Sequence, residues 1–127
     1  GARFPDSIGL NAWPLEQHLA GRIEWGFARD PENAFNQLPF RMLLPQRVGN
    51  LLVAGRCASM QHLGQSAARV SGGCFVMGQA AGSAAALRLA GRLSVPALQA
   101  VLRHDGADLG DAGDLPRTEQ DSGADAR

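Results

Sequence analysis

The 127-residue sequence contains no lysine and no tyrosine, and its twelve basic residues are balanced by twelve acidic ones. The zero net charge gives no general attraction to nucleic acid or to anionic lipid, so neither is expected as a partner. No secretion signal opens the chain and no run of about 18 apolar residues is free of polar interruption, which excludes a membrane span from the prediction. Cys57 and Cys74 are the only cysteines, and their spacing predicts neither a metal site nor a redox pair. We expect reduced thiols in a cytoplasmic protein.

The most informative part of the sequence runs from residue 50 to residue 91. Residues 50–54 are a short apolar run bounded by glycines, which predicts a strand buried on both faces, as in a parallel sheet. A helix is predicted from about Gly72 to Gly91, where a glycine can end it. Interior glycines cost a helix about 1 kcal/mol each and are tolerated where something approaches the backbone. The free N–H groups at a glycine-led helix start suit an anion or an electron-rich planar ligand.

The first half of the chain indicates extended segments. Residues 6–15 have extended character as far as a Trp-Pro break. Residues 21–27 alternate polar and apolar side chains, which predicts a half-buried strand in a hairpin with the preceding segment. A loop is predicted over residues 28–37 because proline and asparagine recur there. Residues 38–45 are expected to be extended again.

The second half of the chain adds a loop, a short helix and a tail to the central stretch. Residues 58–71 are predicted to form a polar loop. Ser94 is expected to cap a short amphipathic helix that ends near Arg103, because apolar side chains recur there on one face. Residues 110–127 are acidic and almost without apolar side chains, so we expect them to be disordered.

Several of these segments together resemble the C-terminal end of FAD-dependent oxidoreductases of the FAD-oxidored group, which are distantly similar to the fumarate reductase and succinate dehydrogenase flavoproteins. The resemblance covers roughly residues 6–109, and its motifs are specific as a set rather than singly. They are LPFRMLLP at 38–45, NLLVAGRC at 50–57, Arg69-Val70, and MGQAAGSAA at 77–85.

The resemblance implies an α/β fold, namely the C-terminal portion of a Rossmann-like FAD/NAD(P)-binding domain with part of the return from a substrate-covering β domain. Residues 1–49 would link the two domains, residues 50–109 would complete the FAD-binding domain, and residues 110–127 would be the tail. No GxGxxG motif follows a strand, although the resembled enzymes bind the FAD pyrophosphate with such a loop. We therefore expect a C-terminal piece of a longer enzyme, with the rest of the FAD-binding domain as its partner.

The resemblance also implies catalytic residues that act on a small-molecule substrate beside FAD. Arg69 would hold an anionic group such as a carboxylate, which a guanidinium recognises well. His18 and His62 would act as acid, base or hydrogen-bond donor. Each role has a structural alternative: Arg69 pairs with an acid of the protein, His18 makes a hydrogen bond at a strand end, and His62 is a polar lining residue. No metal is expected.

The implied cofactor site surrounds the start of the long helix. Its backbone N–H groups would face the flavin edge where negative charge develops on reduction, which would raise the reduction potential. Gly55 would permit close approach of the backbone, and Arg56 would stabilise the pyrophosphate or the neighbouring loop. The expected FAD-binding residues are Gly55, Arg56, Cys57, Ser71, Gly72, Gly73, Cys74 and Phe75.

The resemblance implies flavin-mediated hydride transfer with a small organic substrate, of which carboxylates are one class. Two alternatives stay open, a truncated non-catalytic relic of such an enzyme and a small interaction module that uses the Ala/Gly-rich helix. That helix carries Gly78 and Gly82 on one face, and we expect this face to pack on the first helix of the dinucleotide-binding fold.

Overall fold

Two antiparallel strand pairs and three α-helices form the fold over residues 3–27 and 34–110, which are the residues that the computed structural model describes. The mixture of helices and small sheets is compatible with the predicted α/β class. The elements are β1 Ser7–Asn11, β2 Leu15–Leu19, β3 Arg22–Gly26, β4 Asn36–Pro39, α1 His62–Ala68, α2 Ser71–Leu89 and α3 Val95–His104, with short 3-10 helices at Phe40–Leu43 and Gly55–Cys57.

The predicted strand at residues 21–27 forms a hairpin as β3, but its partner is β2 and not the extended segment of residues 6–15; Leu15 lies opposite Gly26 and Leu19 opposite Arg22. The two residues of its turn, Ala20 and Gly21, have φ of 47° and 78°, as a tight turn between twisted strands requires. The expected half-burial of β3 is wrong, because all five of its residues are exposed. Even Trp25, which makes ring contacts with Trp13 and Phe27, is 45% exposed.

Strands β1 and β4 form the second pair, with Asn11 opposite Asn36 and an irregularity between Ser7 and Leu10. The extended character predicted for the start of the chain is confirmed in β1. The loop predicted over residues 28–37 falls partly on residues 28–33, which lie outside the described residues, while its last two residues belong to β4.

The extended run predicted over residues 38–45 is wrong after Pro39, where the chain turns into the 3-10 helix Phe40–Leu43. Asp6 provides the physical reason. Its backbone carbonyl accepts from the Phe40 N–H at 2.7 Å, and its carboxylate accepts from the Arg41 N–H at 3.1 Å. The same carboxylate forms an ion pair with the Arg41 guanidinium at 3.1 Å. The turn also buries apolar side chains that an extended strand would have divided between two faces.

The core lies between α2, α3 and the β1–β4 pair. Ala80 and Ala84 of α2 are fully buried, as are Leu98 and Leu102 of α3, so small side chains on one helix let the leucines of the other approach closely. The predicted short helix is confirmed as α3, and the Ser94 hydroxyl accepts from the Ala97 N–H at 3.2 Å as its N-cap.

The long predicted helix is confirmed as α2. Its end is a Schellman motif at Gly91, with φ of 67°. The Gly91 N–H donates to the Arg88 carbonyl at 3.0 Å, and the Arg92 N–H donates to the Leu87 carbonyl at 2.8 Å. No single helix in the described residues has the length and apolar composition to cross a membrane. Helices α1 and α2 meet both criteria only when they are taken together, and the pair is bent by 96°.

The strand predicted at residues 50–54 is wrong, since the segment is not a strand in this structure. A buried strand needs neighbouring strands as hydrogen-bond partners. Within the described chain this segment has one backbone hydrogen bond to another segment, from the Val53 N–H to the Leu43 carbonyl at 3.0 Å. Leu51 is 48% exposed. The apolar run is therefore only partly buried, through Leu52 and Ala54, which pack against the core.

The polar loop predicted over residues 58–71 is wrong for half of its length, because residues 62–68 form helix α1. The polar side chains at the start of this helix gave a loop-like sequence pattern. Its last three residues, Ser66, Ala67 and Ala68, are nevertheless buried. The tail predicted as disordered lies outside the described residues, apart from Gly110.

Candidate functional site

A groove of about 380 Å³ lies at the start of α2. Residues 10–13 form one wall and residues 70–73 form the other. Val70 caps α2 without a side-chain hydrogen bond, and the first turn contains no acidic residue. Gly72 is exposed, and a Cβ built on it would meet no atom within 4 Å. The first amides of α2 therefore border open space with a partial positive charge.

The sharp junction between α1 and α2 fixes the position of this helix start. A Cβ on Gly73 would lie 2.7 Å from the carbonyl oxygen of Ala68, so the two helices approach more closely here than any other residue permits. The next carbonyl, that of Arg69, accepts from the Arg56 Nε at 3.3 Å and from the Cys74 thiol at 3.7 Å. Three segments thus converge on the residues that precede α2.

Glu16 of β2 links Trp13, which lines the groove, to Arg69, which immediately precedes the second wall. Its Oε1 lies 3.0 Å from Nη2 of Arg69 and 3.2 Å from Nε2 of His18. Its Oε2 accepts from the Trp13 indole N–H at 3.4 Å. The hydrogen bond from His18 is the largest influence on the pKa of Glu16 and lowers it; desolvation acts in the opposite direction, and the hydrogen bond from Trp13 and the positive charge of Arg69 lower it further. Glu16 is therefore ionised at neutral pH.

A family model described as FAD dependent oxidoreductase matches residues 1–104. The chain belongs to this family. No curated protein and no solved structure matches the chain. Membership of an FAD-dependent family makes FAD the cofactor and makes the protein a flavin-dependent oxidoreductase.

The start of α2 fits such a cofactor. Its uncapped amides suit the electron-rich edge of a flavin, and the two glycines leave the backbone accessible from the groove. The predicted residues Ser71, Gly72 and Gly73 line the groove. Cys74 and Phe75 do not: the Cys74 thiol turns back toward Arg69, and Phe75 is 76% exposed outside it.

The predicted residues Gly55, Arg56 and Cys57 form a 3-10 turn beside the start of α2. Gly55 has φ of 66°, and a Cβ on it would lie 3.5 Å from the Cys74 sulfur. The Arg56 carbonyl accepts from the Gln65 side chain at 3.3 Å. This turn is thus fastened to both α1 and α2, and Cys57 is exposed at its end.

The structure brings two of the three predicted catalytic residues together, since His18 and Arg69 share the Glu16 carboxylate. His62 lies apart, exposed at the first residue of α1, where it makes no hydrogen bond or ion pair with any described residue. Sequence reasoning missed the bridging role of Glu16. The available signal was its spacing from His18, because residues i and i+2 of a strand share a face.

No three His, Cys, Asp or Glu side chains within residues 3–27 and 34–110 lie close enough together to hold a metal ion.

Proposed function

We propose that this oxidoreductase transfers a hydride between FAD and a small organic substrate, with the flavin ring at the groove beside α2. The observation that carries the proposal is the uncapped, glycine-led helix start on an open groove, in a chain of an FAD-dependent family. When bound, FAD supplies the acceptor and donor of the hydride.

The residues of the chain would orient the flavin and handle the proton. The amides of Ser71, Gly72 and Gly73 would hold the flavin edge that becomes more negative on reduction. His18 is 61% exposed and hydrogen-bonded to Glu16, so it can exchange a proton with a bound substrate while the carboxylate orients its ring.

We also propose that this segment completes its FAD site with further residues of an FAD-binding domain, which would include the pyrophosphate loop. The open face of α2 supports this, because a Cβ on Gly78 or on Gly82 would meet no atom of the described chain within 4 Å. A glycine face of this kind permits a second helix to pack closely.

The substitution Gly72→Asp tests the role of the helix start in the complete protein. A carboxylate in the first turn of α2 favours the helix by about 0.3–1 kcal/mol, and position 72 has room for it. Its charge should nevertheless repel an electron-rich flavin edge. We expect weaker FAD binding and a lower flavin midpoint potential, with no loss of thermal stability in the FAD-free protein.

Gly72→Asn is the matched control, since it adds a side chain of the same shape without the charge. FAD affinity should be measured by fluorescence titration and the potential by reductive titration with a reference dye. Equal affinity and equal potential in the two variants would contradict the proposal that the start of α2 contacts the flavin.

A further inference from the structure

Arg69 is a cationic side chain next to the groove, and one edge of its guanidinium is already engaged within the chain. Its Nη2 lies 3.0 Å from the Glu16 carboxylate, and its Nε donates to the Ser66 carbonyl in a long hydrogen bond of 3.5 Å. These nitrogens form an edge of the guanidinium that can bind a carboxylate through two parallel hydrogen bonds. A substrate carboxylate would have to displace Glu16 to use that edge.

The Glu16 carboxylate is difficult to displace. It belongs to a strand that is paired along its whole length with β3, so it faces Arg69 as a tethered ligand. Short tethers produce effective concentrations on the order of millimolar or higher. Trp13 and His18 hold the same carboxylate from other sides. A free carboxylate in solution therefore competes at a disadvantage.

We propose that Glu16 is a specificity-determining residue, which occupies Arg69 and so makes the site select an uncharged organic substrate over a carboxylate. This inference rests on the proposed function, since it concerns the substrate of the same site. It differs from the role that the sequence implied for Arg69, because the anion held by Arg69 is a residue of the protein.

The test compares carboxylate binding by the complete protein before and after Glu16 is replaced. Succinate and acetate are the probes, with chloride at equal ionic strength as the reference. Binding is followed in the FAD-loaded protein by the change in visible flavin absorbance, and in the FAD-free protein by the change in Tm. We expect no saturable response in the wild-type protein.

In Glu16→Gln the charge is lost at nearly constant shape, and in Glu16→Ala space is opened beside Arg69 as well. We expect saturable succinate binding by at least one of these variants, with an affinity roughly 10- to 100-fold above the upper limit that the wild-type titration sets, as the gain of a hydrogen-bonded charge partner predicts. Adding Arg69→Gln should abolish the gain. The matched controls are Glu24→Gln and Glu24→Ala, since Glu24 pairs across the hairpin with Gln17, on the opposite face from Glu16.

Two results would overturn the inference. One is unchanged succinate affinity in both Glu16 variants; the other is saturable binding to the wild-type protein that Arg69→Gln removes. Failure of the wild-type protein to bind FAD would instead refute the proposed function. In that event the Tm measurements on the FAD-free protein still decide the role of Glu16.

Discussion

Replacing Gly73 by alanine is expected to disturb the start of α2 far more than the same change at its neighbour Gly72. A Cβ at position 73 would lie 2.7 Å from the carbonyl oxygen of Ala68 and within 3.5 Å of two further backbone atoms of that residue. Backbone atoms cannot move aside as the end of a flexible side chain can, so the α1–α2 junction must open. Overpacking of this kind costs about 1–3 kcal/mol.

Gly72→Ala is the matched control, because it is the same substitution in the same turn with no atom within 4 Å. It should stabilise the helix by up to about 1 kcal/mol through the higher helix propensity of alanine. The same propensity gain applies at position 73, so the two variants should differ by the overpacking cost alone, roughly 1–3 kcal/mol in free energy of unfolding. Urea denaturation followed by circular dichroism measures this difference, and equal midpoints at equal slopes would refute the close approach at Gly73.

Two further predictions concern the core and the Glu16 cluster. Leu102→Ala should lower the free energy of unfolding by about 2–5 kcal/mol, because Leu102 is fully buried, whereas Leu89→Ala at a 91% exposed position should change it by less than about 0.5 kcal/mol; similar losses in thermal melts would contradict the assigned core. Glu16 has a lowered pKa in the folded state, so its stabilising contribution is present above its ordinary pKa of 4.5 and is lost as the pH falls through the lower folded value. Glu16→Gln should therefore flatten the acid limb of the curve of stability against pH, whereas Glu24→Gln should leave it unchanged. Parallel curves for the wild type and Glu16→Gln would contradict the contacts of Glu16 with His18, Trp13 and Arg69.

The sequence predicted best the elements whose signals are local. The N-cap at Ser94 and the glycine that ends α2 depend on backbone geometry and on hydrogen bonds within a few residues. The structure has each of them. The family followed from a set of short motifs, and the match over residues 1–104 confirms it.

The errors arise where tertiary contacts decide the structure. The run at residues 50–54 has the composition of a buried strand, but a ladder needs neighbours and the described chain offers it little beyond the Leu43 carbonyl. The 3-10 helix Phe40–Leu43 depends on contacts with Asp6, which lies 34 or more residues away in sequence. A local sequence pattern cannot predict such a contact. The Glu16–Arg69 pair is equally non-local, so the sequence left open a bound anion or an acid of the protein as the partner of Arg69 and could not name Glu16.

Three of the four glycines of α2 separate into two groups with different physical causes. Gly73 belongs to the buried stripe that continues through Met77, Ala80 and Ala84, and its lack of a side chain is explained by the Ala68 carbonyl. Gly78 and Gly82 lie on the opposite, exposed side, where no described atom would touch an added Cβ. Each costs the helix about 1 kcal/mol relative to alanine, and no contact within residues 3–27 and 34–110 offsets that cost. Close packing of another helix would offset it, which is the physical reason for proposing that the rest of an FAD-binding domain packs on this face.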